Sequence, residues 1–255
     1  MTPYLPRAAT AIEAGLSLLC LPCAGAGASV YAGWQQALVS HGAGLRVLPV
    51  QLPGREERAG EARFTELDAL VAELDEHLDD ALAGPHLLYG HSMGAFVAHA
   101  LTLRRQRRGA VLPQALVLSS HRAPHVPPNR VLDPDADDET LAAALADLGG
   151  IPPELAGRRG FRARYMPLVR DDLRVCSTTV RKEETEPLRV PLHLLVGAQD
   201  RLVPVEAMDA WSVHGGAGTE LHTLPGGHFF VRTHENALLR HLTAVAHRYG
   251  PVPAP

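Results

Sequence analysis

With 255 residues, 46% of them hydrophobic and 20% charged, the chain reads as one ordinary soluble enzyme domain with enough apolar material for a substantial core. Its formal net charge of −4 excludes the strong basic excess that nucleic-acid binders carry. No run reaches the roughly 18 apolar residues of a membrane helix, and Leu16–Leu21 is too short for a secretory core, so a cytoplasmic protein is predicted, with neither nucleic acid nor membrane as partner.

The first predicted strand, Leu16–Leu21, runs into Pro22-Cys-Ala-Gly-Ala-Gly27. Gly25-Ala-Gly27 after a strand is half of a dinucleotide fingerprint. The third glycine position holds Val30, however, and the next strand, Leu45–Leu52, ends in Gln51-Leu52 without an acidic residue, so no cofactor is predicted. Cys20-x-x-Cys23 superficially resembles a redox or zinc motif. Strand alternation sends Cys20 into the sheet while Cys23 falls in the loop, and no second Cys pair completes a zinc site, so no metal is predicted. Three cysteines, with Cys176, cannot all pair, and a reducing compartment leaves them free. If Cys23 is exposed near the site, thiol modification is expected to inhibit by obstruction.

Thr65-Glu-Leu-Asp68, followed by Leu70, Val71, Leu74 and Leu78, predicts a helix with a start signal and one apolar face. A buried strand follows, Leu87–Gly90 with His86 before it, and then a helix through Ala95-Phe-Val-Ala-His-Ala-Leu101. Between them stands Gly90-His-Ser-Met-Gly94, which in this context is a nucleophile elbow: flanking glycines let the chain turn sharply and leave the Ser92 hydroxyl exposed at the sheet edge. The other reading, a Gly-rich turn with a capping serine, is weighed against the partners found downstream. Arg104-Arg105-Gln106-Arg107-Arg108 ends the same helix, where cations suit the helix dipole, and reads as a solvated helix end.

After a strand at Ala115–Ser119, the segment 121–190 is several times longer than a crossover between parallel strands requires. Asp138-Glu-Thr-Leu141 with Leu145 and Leu148, and Phe161, Tyr165, Met166, Leu168 and Val169, suit a helical lid over the serine or an insertion buried against the sheet. As a lid it excludes water and shapes the acyl pocket. Arg122, Arg158, Arg159, Arg162 and Arg170 are placed there to meet a negatively charged substrate carrier.

The strand Leu192–Val196 delivers Asp200 to the loop past its end, and the strand Glu220–Leu224 delivers His228 after Pro225-Gly-Gly227. A helix over Glu235–Arg248 and a frayed Pro251–Pro255 tail complete the chain. Strands alternating with helices predict an α/β fold with a mostly parallel sheet covered on both faces, in which groups at strand ends gather at one rim.

A serine hydroxyl needs a neighbouring base, and the base needs a third group to fix its tautomer. Ser92, Asp200 and His228 follow in the chain order required of this fold. Although Asp is also a common turn residue, the order makes Asp200 the candidate acid and His228 the candidate base, chosen from 14 histidines by its place after a strand and two glycines. The oxyanion calls for two backbone donors. Met93, after the nucleophile, supplies one; Ala24, or a neighbour in its loop, supplies the other.

The chain resembles a type II thioesterase of polyketide or nonribosomal peptide synthesis, within the α/β-hydrolase superfamily. The matching pieces are Gly90-His-Ser-Met-Gly94, Leu21-Pro-Cys-Ala-Gly25, Leu52-Pro-Gly-Arg-Glu56 with Arg58, Arg122-Ala-Pro124, Leu148-Gly-Gly-Ile-Pro-Pro153, Gly197-Ala-Gln-Asp200 and Gly226-Gly-His-Phe-Phe230. The resemblance implies a single α/β-hydrolase domain over 1–255 with a helical lid at 121–190, Ser92 as nucleophile, Asp200 as orienting acid and His228 as base. It also implies the substrate: aberrant or stalled acyl chains on the phosphopantetheine arm of an acyl or peptidyl carrier protein, with smaller acyl-CoA-like thioesters alongside. Departures fall at Ala26, where the family carries a second glycine, at Val169-Arg170-Asp171-Asp172, where it carries Leu-Arg-Ala-Asp, and after it, where a Glu and a Tyr are missing. They bear on lid contacts and acyl preference. An esterase or acyltransferase using the same residues, or a noncatalytic binding relative, are the other readings.

Overall fold

The computed structural model describes residues 2–10, 12, 14–128, 131–177 and 186–250, so the expected tail at Pro251–Pro255 lies outside the described residues. Six strands, β1 (Ser17–Leu21), β2 (Arg46–Pro49), β3 (His86–His91), β4 (Ala115–Ser119), β5 (Leu192–Gly197) and β6 (Thr219–Leu224), form one sheet in the order β2-β1-β3-β4-β5-β6. Every pairing is parallel. Each expected strand lies within a few residues of an observed one. The second is shorter than expected because after Val50, whose amide still donates to Cys20 O of β1, the chain leaves the ladder and the Gln51 amide donates to Tyr4 O of the N-terminal segment instead.

Strands β1, β3, β4 and β5 are buried at every position, as their unbroken apolar runs require when helices cover both faces. Alternation sorts their side chains into two cores. Leu19, Leu21, Leu88, Leu116, Leu118 and Leu194 share one with helices α3 (Leu67–His77) and α4 (Met93–Arg107). Leu18, Cys20, Tyr89, Val117 and Leu195 share the other with α2 (Trp34–Ser40) and α10 (Glu235–Tyr249). No helix among the described residues is long and apolar enough to cross a membrane.

Two expectations need correction. No side chain caps α3: its N-cap is Glu66, with no side-chain hydrogen bond, so burial of Leu67, Leu70, Val71 and Leu74 carries the helix rather than the start signal at Thr65. The arginine run at the end of α4 is not merely solvated. Arg105 is 1% exposed and meets Asp75 and Asp79, Arg104 and Arg108 also reach Asp75, and Arg107 reaches Glu186. The run thereby ties α4 to the end of α3.

Between β4 and β5 the chain forms α5 (Asp138–Asp147), α6 (Pro153–Ala156) and α7 (Arg159–Val175). Asp137 caps α5 by accepting the Glu139 and Thr140 amides, both at 2.9 Å. Leu141, Ala142, Leu145, Ile151, Met166 and Val169 give these helices a small core of their own. Residues 129–130 and 178–185 of the expected insertion are outside the described residues. The remaining short helices are α1 (Arg7–Thr10), α8 (Val205–Asp209) and α9 (Phe230–Thr233).

Candidate active site

Strand order reverses between β2 and β3 around β1, so the loops leaving β1 and β3 open side by side at the carboxyl rim of the sheet. Ser92 occupies the turn from β3 into α4 with φ 53 and ψ −120, a backbone conformation that costs a side-chain-bearing residue free energy. The flanking glycines are required by space. A Cβ on Gly90 would stand 2.1 Å from the Gly94 carbonyl oxygen, and one on Gly94 would stand 2.0 Å from the Leu21 carbonyl oxygen. The strained turn holds Oγ at the rim.

Across the rim, His228 Nε2 lies 3.1 Å from Ser92 Oγ. Its Nδ1 lies 3.0 Å from Asp200 Oδ2 and 3.3 Å from Oδ1. With Nδ1–H donating to the carboxylate, Nε2 is left as the acceptor for the Ser92 hydroxyl. Asp200 Oδ1 also accepts the Leu202 and Val203 amides, both at 2.9 Å, which fixes the carboxylate independently of the imidazole. Burial alone would raise the Asp200 pKa. The hydrogen bond and charge of His228, with the Val203 amide, outweigh it and hold the group below the ordinary carboxylate value. Beneath the pair lies His91, whose ring is 5.3 Å from that of His228 and whose Nδ1 is 2.9 Å from Ser119 Oγ. Burial drives the His91 pKa far down, so this ring stays uncharged beside the His228 imidazole.

In the β1 loop the Gly25 amide donates to Asp172 Oδ2 at 2.7 Å and the Ala26 amide to Cys23 O at 3.1 Å. Among the described residues the amides of Ala24, in this loop, and of Met93, the residue after Ser92, make no backbone hydrogen bond. Asp172 was not legible as a site residue. From α7 it grips Arg55 through both oxygens, at 2.7 and 2.8 Å, while Arg55 also donates to Ala26 O and Gln51 Oε1 accepts the Ala28 amide. The loop is thus clamped from two sides. The signal was present in the Pro53-Gly-Arg55 and Val169–Asp172 pieces, but neither spacing nor periodicity says that two residues 117 apart meet. A carboxylate on the Gly25 amide also opposes a phosphate there, which agrees with the absence of a complete dinucleotide fingerprint.

A cavity of about 300 Å³ opens beside Ser92, lined by Ser120, His121, Leu132, Leu173, Leu202 and Val203 among others. Arginines expected to face a carrier are partly consumed inside. Arg122 is buried and donates to Val126 O and Cys176 O; Arg170 donates to Pro134 O, Ala136 O and Asp138; Arg162 donates to Ala156 O. Arg158 and Arg159, at the start of α7, are exposed. Cys23 is not exposed: at 6% accessibility it packs with Ala26 and Phe229, and burial pushes its thiol up to about 11.

A thioesterase domain family model matches residues 17–245. LgrE of Brevibacillus parabrevis, named a linear gramicidin dehydrogenase, is 33% identical over 93% of this chain and 90% of its own. RedJ, a thioesterase from the prodiginine biosynthetic pathway in Streptomyces coelicolor, superposes with a TM-score of 0.82 at 33% identity, covering 91% of each chain. YbtT, a type II thioesterase from the yersiniabactin NRPS/PKS pathway, superposes with a TM-score of 0.81 at 29% identity, covering 94% of each.

Proposed function

The chain belongs to the thioesterase family and is a hydrolase of thioesters, and from that premise we propose that it acts by acyl transfer through Ser92, His228 and Asp200. The observation that carries the reading is the continuous path from Ser92 Oγ to His228 Nε2, 3.1 Å, and from His228 Nδ1 to Asp200, 3.0 Å. Ser92 Oγ attacks the thioester carbonyl while His228 takes its proton. The tetrahedral oxyanion is held by the amides of Met93 and Ala24, each such donor being worth about 3–4 kcal/mol on removal. Collapse breaks the carbon–sulfur bond, and the His228 proton goes to the departing sulfur. Water then adds to the acyl carbon as His228 takes its proton, the acyl–Oγ bond breaks, and the proton returns to Ser92 as the free acid leaves. Asp200 stays ionised throughout and holds the imidazole in the productive tautomer.

Type II thioesterases of nonribosomal peptide and polyketide pathways are the relatives this chain resembles over nearly its whole length. On that footing the substrate is an acyl group on the phosphopantetheine arm of a carrier protein in the cytoplasm, removed when it is aberrant or stalled. Helices α5 to α7, within the expected insertion, are read as the lid, with Leu173 of α7 lining the cavity beside Ser92. The cavity beside Ser92, about 300 Å³, stands at the lower end of the range for ligand sites, which favours short acyl groups. A panel of carrier proteins loaded with acyl chains of increasing length tests this. Hydrolysis is expected to be fastest for short chains on the carrier. A preference for long chains or for oxygen esters contradicts it.

A further inference from the structure

On the face of the sheet covered by α10, three imidazoles converge away from Ser92. Strands β5 and β6 pair His193 with Glu220 and Leu195 with His222, so alternation places His193, Glu220 and His222 on one face. Helix α10 crosses that face and brings His241. Each ring offers a nitrogen, and the three nitrogens lie within 4.8 Å of one another. The His222 and His241 rings are 4.4 Å apart between centroids. His193 Nδ1, His222 Nε2 and His241 Nε2 are all buried atoms with no hydrogen-bond partner. Glu220 Oε2 stands 3.7 Å from His193 Nδ1 and 3.6 Å from His222 Nε2.

We propose that His193, His222, His241 and Glu220 form a binding site for a divalent transition-metal ion of the zinc type, pinning α10 to the β5–β6 edge. Buried polar atoms are ordinarily satisfied, and three orphaned ring nitrogens gathered within 4.8 Å beside a carboxylate suit a cation that accepts their lone pairs together. Three imidazoles at one point are a zinc-compatible donor set, and Glu220, within 3.7 Å of two of them, is the side chain placed to close the site as a fourth ligand. Metal–nitrogen bonds of about 2.0–2.1 Å require ligand nitrogens about 3.3 Å apart, so the rings close in modestly on binding. The half-exposed His222 and Glu220, with side chains 40% and 43% accessible, have room to do so and leave an entry path.

The surroundings fit. Tyr249 Oη lies 3.2 Å from His193 Nε2, so a hydrogen bond on that nitrogen leaves Nδ1 to the metal, and Arg248 holds the other oxygen of Glu220.

The test titrates tag-free, chelator-treated full-length protein with Co²⁺, reading the visible absorption of tetrahedral cobalt, and then displaces it with Zn²⁺. Saturation at a single equivalent, with tetrahedral absorption lost on adding Zn²⁺, is expected. His222→Ala and His241→Ala are each expected to weaken binding by at least the 10–100-fold, or about that, which loss of an outer partner costs a metal site. Thioester hydrolysis and the metal-free Tm of these variants, read alongside, report that the fold is intact. Absence of saturable binding at micromolar metal, or binding unchanged in both variants, overturns the proposal.

Discussion

Asp172 and Arg55, 2.7 and 2.8 Å apart through two parallel hydrogen bonds, are 3% and 5% exposed, and the same carboxylate receives the Gly25 amide. The pair joins the insertion helix α7 to the loop that carries Ala24. It is a buried tie rather than a surface ion pair, and on the proposed mechanism it positions the Ala24 donor.

Asp172→Asn leaves a buried guanidinium facing a neutral amide. A loss of about 3–5 kcal/mol is expected, read as a fall in Tm of roughly 10 °C in a chain of this size. Because the loop donor is displaced while the nucleophile is untouched, kcat is expected to fall by about 10²-fold with a smaller change in KM. Steady-state kinetics on an acyl thioester, with thermal unfolding, separates these effects.

Gly94→Ala is expected to destabilise the elbow by about 3 kcal/mol or more, since its Cβ would stand 2.0 Å from the Leu21 carbonyl oxygen and backbone must move. Gly160→Ala, in the first turn of α7 with nothing within 4 Å, is the contrast and is expected to leave Tm unchanged or raise it slightly. Thermal unfolding of the two variants side by side reads the difference.

Acid sensitivity follows from buried imidazoles. Burial brings His86 to about 4 and His99 and His121 to about 3, from an ordinary value of 6.5. Below pH 6.5 the unfolded chain protonates these rings while the native state does not, so stability is full above that pH and falls as pH drops toward 4. Each ring contributes on the order of 1.4 kcal/mol per pH unit within the window. Tm is expected to be markedly lower at pH 5 than at pH 7.5, and His99→Phe is expected to shrink that difference.

Thiol chemistry is expected to be silent in the native enzyme. Cys20 is buried with its pKa raised far up, and burial brings Cys23 to about 11 and Cys176 to about 12. Iodoacetamide at pH 7.5 should label none of the three and leave turnover intact, with all three labelled after denaturation. Mass spectrometry of the intact protein reads both states.

The strands and the convergence of Ser92, Asp200 and His228 were legible because local patterns carry them. Apolar runs of five or six residues mark buried parallel strands, and each candidate group stands just past the end of one. What spacing could not express was long-range electrostatics. Asp75 collects three arginines from another helix, and Asp172 reaches Arg55 and Gly25 across the fold. The same gap hid the fate of Arg122 and Arg170, whose guanidinium groups end on backbone carbonyls. It also hid the His193, His222 and His241 cluster, three single histidines on two strands and a helix.

Asp200→Asn is expected to fold as the native chain does and to lower kcat by about 10⁴-fold, because an amide at the carboxylate position favours the wrong His228 tautomer. A pH–rate profile with kcat recovered to within tenfold of native would exclude Asp200 as the orienting acid.

The most direct measurement compares purified Ser92→Ala with native enzyme on one acyl-carrier thioester. The variant is expected to keep its Tm and to lose turnover by about 10⁴-fold or more, while a serine-directed phosphonate labels the Ser92 peptide in the native protein alone. Thioester hydrolysis persisting near the native rate in the pure variant would contradict the mechanism.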